Sequence, residues 1–216
     1  MRARGARRWS GFVVLVAAVV ALSGVLSGCV SAKSSSGGSG AGLTAATELS
    51  GGIAKPAVTL TDTSGATYDF TARTGGRPML LYFGYTHCPD VCPTTMADIA
   101  LALRNLPALA PRITVVFVTT DPDRDTPAVI KAWLAHFDSR FVGLTGSVKS
   151  IDAFADAVGV PIEPPVKEAD GTYSVTHGAQ VLVFGADNQA RAAFTEGAGA
   201  AGYTHDLPIL LKGDGA

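Results

Sequence analysis

Met79-Leu-Leu-Tyr-Phe83 is an unbroken apolar run that ends at Gly84. A run this short and this apolar reads as a buried strand. The segment that leaves it, Gly84-Tyr-Thr-His-Cys88-Pro-Asp-Val-Cys92-Pro93, holds the two cysteines found in the body of the chain. A thiol pair at the exit of a core strand is placed for redox work or for holding a soft metal. Any fold for this chain has to be built around that strand.

The first part of the chain reads as separate from the fold. Residues 1–8 carry Arg2, Arg4, Arg7 and Arg8 without an acid, and Gly11 to Leu26 is uncharged and mostly apolar. A basic start, an apolar middle and a small-residue exit describe a secretory signal peptide, and the apolar stretch falls short of the roughly 20 residues a membrane span needs. Leu26-Ser-Gly-Cys29 resembles a bacterial lipobox, which implies cleavage after residue 28 and lipidation of Cys29. Residues 29–52 are rich in Ser, Gly and Ala and read as a flexible tether. The expected organisation is a signal peptide over 1–28, a lipidated cysteine and tether over 29–52, and a folded domain over 53–216, held at the extracytoplasmic face of the cell membrane. Loss of residues 1–28, with their four arginines, takes the formal charge from -1 to -5. The mature chain is mildly acidic and has no basic footprint for nucleic acid. Cys88 and Cys92 then remain as the only thiols, in an oxidising compartment, and one pair is too few for a disulfide framework.

Within the domain, Val58-Thr-Leu60 and Thr67–Phe70 flank a Ser64-Gly65 turn and read as a hairpin. Met79–Tyr85 is a central strand, and Pro93–Leu106 is a helix on the spacing of Met96, Ile99, Leu103 and Leu106. Ile113–Thr119 is a second buried strand. Thr126-Pro127 opens a helix with Ile130, Trp133, Leu134 and Phe137 on its apolar face. A further helix carries Ile151, Phe154 and Val158. A turn at Asp170-Gly171 leads through Tyr173–Val175 to His177; Gln180–Phe184 and Arg191–Phe194 read as a hairpin, and Asp206–Leu211 as a closing helix with Thr204 as its cap. This is an α/β order of the thioredoxin-like kind: a central sheet flanked by helices, with an N-terminal hairpin and an inserted one.

The thiols stand as C-x-x-x-C, one residue wider than the usual redox loop. Pro89 and Pro93 follow the two cysteines, which predicts non-helical backbone at both and a loop running into a helix N-terminus. Such a terminus favours thiolate over thiol. A metal would need a further ligand. His136 and His205 read as surface or capping residues, and His87 adjoins Cys88 too closely to share its ion. His177, in Val175-Thr-His-Gly178, reads either as a hydrogen-bonding residue or as the missing ligand. Two thiolates with an imidazole suit copper better than a four-ligand zinc site or a four-thiolate cluster. Asp121 reads as a turn residue, with a supporting acid role as the alternative. Tyr82, Phe83, Tyr85 and Phe117 read as core or site wall.

Leu81–Pro93, Phe117-Val-Thr-Thr-Asp-Pro-Asp-Arg-Asp-Thr-Pro127, Phe141–Gly146 and Tyr173-Ser-Val-Thr-His177 together resemble the Sco (SenC) family of copper-binding proteins, over roughly residues 56–212. The resemblance implies a thioredoxin-like fold held at the membrane and a copper ion bound by Cys88, Cys92 and His177. It implies a metallochaperone role in building the dinuclear copper site of cytochrome c oxidase subunit II, with a periplasmic-type copper chaperone or a thiol reductant as a further partner. The family commonly has an acid before the late histidine and a serine after it, where this chain has Thr176 and Gly178. The alternative reading is an enzyme, a thiol–disulfide reductase that uses Cys88 and Cys92 to keep the target's cysteines reduced. A peroxidase reading fails for want of a basic residue between Arg77 and Arg104.

Overall fold

The computed structural model describes residues 42–163, 165–167, 173–175 and 177–214. The expected signal peptide, Cys29, the Asp170-Gly171 turn and Thr176 lie outside the described residues. In chain order the elements are β1 (Ala46–Ala54), β2 (Thr59–Asp62), β3 (Thr67–Asp69), α1 (Phe70–Thr74), β4 (Met79–Gly84), α2 (Val91–Asn105), β5 (Thr114–Thr119), α3 (Pro127–Leu134), β6 (Val142–Thr145), α4 (Val148–Ala157), β7 (Val166–Lys167), β8 (Tyr173–Ser174), β9 (Val181–Phe184), β10 (Gln189–Phe194) and α5 (Gly199–Leu210). An eight-stranded sheet runs β1-β10-β9-β4-β5-β6-β2-β3, and β7 and β8 form a separate two-stranded arm. Strands β4, β5 and β6 are parallel. Strand β9 joins β4 antiparallel, so Tyr82 faces Val181.

Side-chain alternation along β4 divides the core into two layers. Leu80 and Tyr82 point into a layer with Cys92, Met96 and Ile99 of α2, Phe117, Ile130 of α3 and Leu207 of α5. Met79, Leu81 and Phe83 point the other way, onto Phe70, Ile151, Phe154 and Phe184. The expected strands and the helices of Met96, Ile130 and Ile151 therefore form where their periodicities place them, and Thr126 caps α3 by accepting from the Val129 N–H at 3.3 Å.

Three boundaries differ from expectation. The tether expected through residue 52 stops short, because Ala46–Ala54 is an edge strand on β10. Its small residues bury little, but the β10 edge supplies the ladder, and the Asp206 carboxylate accepts from the N–H groups of Thr44, Ala45 and Ala46 at 2.8–3.1 Å. Gly51 and Gly52 take φ of 84° and 67° where the ladder slips, a bulge that favours glycine. The closing helix begins at Gly199 rather than Asp206, and Thr204 is an interior residue bonded to the Ala200 carbonyl at 2.7 Å. Glycines at 199 and 202 hide that start from propensity. The packing accounts for Gly202: a Cβ there would lie 2.4 Å from the Ala45 Cβ. Third, α2 begins at Val91, which places Cys92 inside the helix.

Candidate metal centre

Cys88 lies in the loop that leaves β4, and Cys92 lies in the first turn of α2. The steric restriction that Pro93 puts on the residue before it is outweighed by where the Cys92 sulfur goes. Gly84 follows Tyr82 on the α2 side of β4, and having no side chain it leaves room for that sulfur. A Cβ at Gly84 would sit 2.8 Å from the Cys92 Sγ and 3.0 Å from the Tyr82 Cε1. The Cys92 side chain is completely buried, while Cys88 is part-exposed, and both are free thiols.

His177 arrives from the segment before β9, 85 residues on, and pairs with Ile162 in an isolated bridge. Its Nε2 stands 3.4 Å from the Cys92 Sγ. Its Nδ1 stands 3.3 Å from the Gly178 carbonyl oxygen. That oxygen can only accept, so Nδ1 carries the proton and the Nε2 lone pair faces the thiols. The Sγ atoms of Cys88 and Cys92 and a ring nitrogen of His177 lie within 4.8 Å of one another. A first-row ion with ligands at about 2.0–2.3 Å spaces the atoms of a trigonal set by about 3.7 Å, so small side-chain rotations suffice to close the three around one ion.

The electrostatics correct one expectation. The backbone N–H of Cys92 at the start of α2 is aimed at the Cys88 Sγ, at 3.4 Å. Cys92 itself is not activated: burial pushes its thiol up to about 12. Desolvation of the anion exceeds what a helix terminus returns to it. Burial likewise lowers the pKa of His177, which keeps the imidazole neutral and its lone pair available. The pair is therefore one loop thiol and one buried thiol whose proton a bound cation would have to displace.

The other histidines stay out of the centre. His136 is exposed after α3, His205 pairs with Asp206 at 2.7 Å, and His87, 51% exposed, turns to Asp125 at 3.5 Å. Asp121 is no surface turn residue. It is fully buried, is bonded by Arg124 and accepts from the Tyr173 hydroxyl at 3.2 Å. The Arg124 guanidinium lies 3.9 Å from the Tyr173 ring centre and 6.0 Å from that of Tyr85, whose ring packs on His177 at 5.6 Å. Arg124, Tyr173 and Asp121 thus form a clamp that links the β5–α3 loop to the arm leading to His177.

Asp125 is a residue the sequence reading missed. Also fully buried, it accepts from the Thr86 N–H at 2.9 Å and from the hydroxyls of Thr86 and Thr119 at 2.6 Å. It pins the loop carrying Cys88 to the end of β5. His87, Asp121 and Asp125 also approach within 4.8 Å of one another, but their carboxylates are already committed to these donors. The signal for Asp125 is a Thr-x-x-x-x-x-Asp spacing after a strand, which has no meaning until Thr86 is brought beside it.

The family model described as SCO1/SenC matches residues 49–212. The human mitochondrial SCO1 homolog is 32% identical over 136 residues, which is 58% of this chain and 45% of that protein, so the chain spans less than half of this relative's length. Among solved structures, Bradyrhizobium japonicum ScoI with copper bound is 33% identical, with a TM-score of 0.65 over 74% of this chain and 99% of that one. The apo Sco1 protein of Thermus thermophilus is 29% identical, with a TM-score of 0.69 over 80% of this chain and all of that one.

Proposed function

The chain belongs to the SCO1/SenC family, and from that membership we propose that it binds one copper ion through Cys88, Cys92 and His177 and acts as a copper metallochaperone. The observation that carries the reading is the convergence of two free thiols from one segment and a neutral imidazole from another, 85 residues on, within 4.8 Å. Thiolate and imidazole ligands suit copper, and three ligands leave the ion open to exchange with an acceptor. The solved copper-bound relative supports the same choice of metal.

The recipient in this reading is the dinuclear copper site of cytochrome c oxidase subunit II, and the protein works at the extracytoplasmic face of the membrane, attached through a lipid on Cys29. Among the described residues no helix is long and apolar enough to cross a membrane. A thiol–disulfide reductase is the second reading, favoured by the free state of the two neighbouring thiols. One experiment separates them: oxidase assembly in cells whose own gene is replaced by the Cys88→Ser, Cys92→Ser or His177→Ala form, alongside copper titration of the same proteins. The metallochaperone predicts that all three variants lose copper and assembly together. Full assembly with His177→Ala, with failure of both cysteine variants, would instead establish the reductase.

A further inference from the structure

Strands β4, β5 and β6 all run toward the metal centre, so their first residues mark the opposite end of the sheet. A hollow of about 470 Å³ opens there, between Arg77 ahead of β4, Thr114 at the start of β5 and Val142 at the start of β6. Arg73 and Arg140 join Arg77 in its lining, and all three are exposed. A second hollow, of about 460 Å³, lies where the ends of α2 and α5 meet. Leu106, Pro107, Leu109 and Leu211 give it apolar walls, with Arg112 and Lys212 beside them. The turn after α2 borders both hollows, giving Pro111 to the first and Arg112 to the second. Arg104, exposed in the last turn of α2, adds a further cation.

Among the described residues, only Arg140 of these six cations stands in a salt bridge, with Asp138 at 2.6 Å. The acids beside the group, Asp62, Asp138 and Asp214, are too few to neutralise it. The site end has the opposite character: Asp90, Asp98 and Glu196 line a hollow at the start of α2. A chain of formal charge -5 without residues 1–28 therefore carries its positive charge at the end remote from the thiols.

We propose that this basic end docks on the headgroups of an anionic phospholipid surface, holding the metal centre on the face turned away from the lipid. Guanidinium groups match phosphate oxygens in pairs, and cations within a Debye length of a negative leaflet are drawn to it. The apolar walls beside Arg112 and Lys212 suit the boundary between headgroups and acyl chains. The inference rests on the membrane attachment proposed above. Residues 30–41 reach at most about 40 Å when extended, so a lipid on Cys29 keeps the domain close to the bilayer. The chain enters the described structure with the Thr44 N–H on the Asp206 carboxylate at 2.9 Å, one helical turn before α5 ends beside Leu211 and Lys212.

The test is backbone hydrogen exchange of the protein purified from membranes of cells expressing the full chain. It is placed on saturating vesicles of phosphatidylcholine, alone or mixed with phosphatidylglycerol. On the anionic vesicles, residues 71–77 and 106–112 should exchange several-fold more slowly than on the neutral ones, with no such slowing over residues 85–92. High salt should abolish the difference. Arg73→Gln/Arg77→Gln should weaken docking about 20- to 30-fold, at roughly fivefold per charge, whereas Lys131→Gln/Lys149→Gln, with the same net charge, should dock as the parent does. Equal exchange on both kinds of vesicle overturns the docking face, as does slowing centred on residues 85–92 or equal loss in the two double variants. Sedimentation with the neutral vesicles reports the anchor by itself. Protein left in solution there refutes the lipid attachment, while exchange on the anionic vesicles still decides the face.

Discussion

At the scale of single residues, the centre depends on side chains that are absent as much as on those present. Gly84→Ala puts a Cβ against Cys92 Sγ, Tyr82 Cε1 and the Phe117 ring, at 2.8, 3.0 and 3.2 Å. All three neighbours are fully buried and cannot yield freely. We expect a loss of about 1–3 kcal/mol of stability, read by urea denaturation, and weaker copper binding; unchanged values for both would show that the sulfur pocket is not tight. The Cys92 thiol gives a prediction in pH. Its pKa is raised in the fold, so its contribution to stability is whole below the ordinary thiol value of 9 and is lost as pH rises toward about 12. The reduced, copper-free parent should therefore lose stability above pH 9 more steeply than Cys92→Ala does. Parallel curves for the two would contradict the buried, protonated thiol.

At the scale of elements, two side chains hold segments that the sheet ladder holds weakly. Burial raises the pKa of Asp206, but the Ala46 N–H, His205 and the N–H groups of Ala45 and Thr44 together bring it well below the ordinary carboxylate range. Asp206→Ala leaves those N–H groups unpaired and should cost about 2–4 kcal/mol, with faster hydrogen exchange across Ala46–Ala54. Because the pKa is depressed, this contribution is present above the ordinary carboxylate pKa and is lost as pH falls below it. The second device is the clamp of Arg124 on Tyr173 and Asp121. Arg124→Gln removes the cation that joins the arm to the β5–α3 loop, and copper affinity should drop by about tenfold while the thiols stay equally reactive. Equal affinity would show that His177 is held by its own strand pairing alone.

At the scale of the molecule, the parallel strands deliver the loops of the site to one end of the sheet, where α/β folds of this kind build their sites. The central strands and α2, α3 and α4 could be read from periodicity because each is stabilised by burial of its own apolar face. Strand β1 could not, because its pairing comes from β10 and Asp206, remote in the chain, and nothing in a Ser-Gly-Ala segment records that. The start of α5 was hidden for a like reason: its glycines are there for close packing on Ala45. The thiols announced themselves by spacing and position. His177, 85 residues from Cys92, was separated from ordinary histidines only by family resemblance, and Asp125 only by three-dimensional proximity.

X-ray absorption at the copper edge of the full chain loaded with one Cu(I) reads the coordination shell itself. The site built from Cys88, Cys92 and His177 predicts two sulfur scatterers and one imidazole nitrogen, with the nitrogen lost and both sulfurs kept in His177→Ala. A shell without nitrogen in the parent, or one that His177→Ala leaves unchanged, contradicts it.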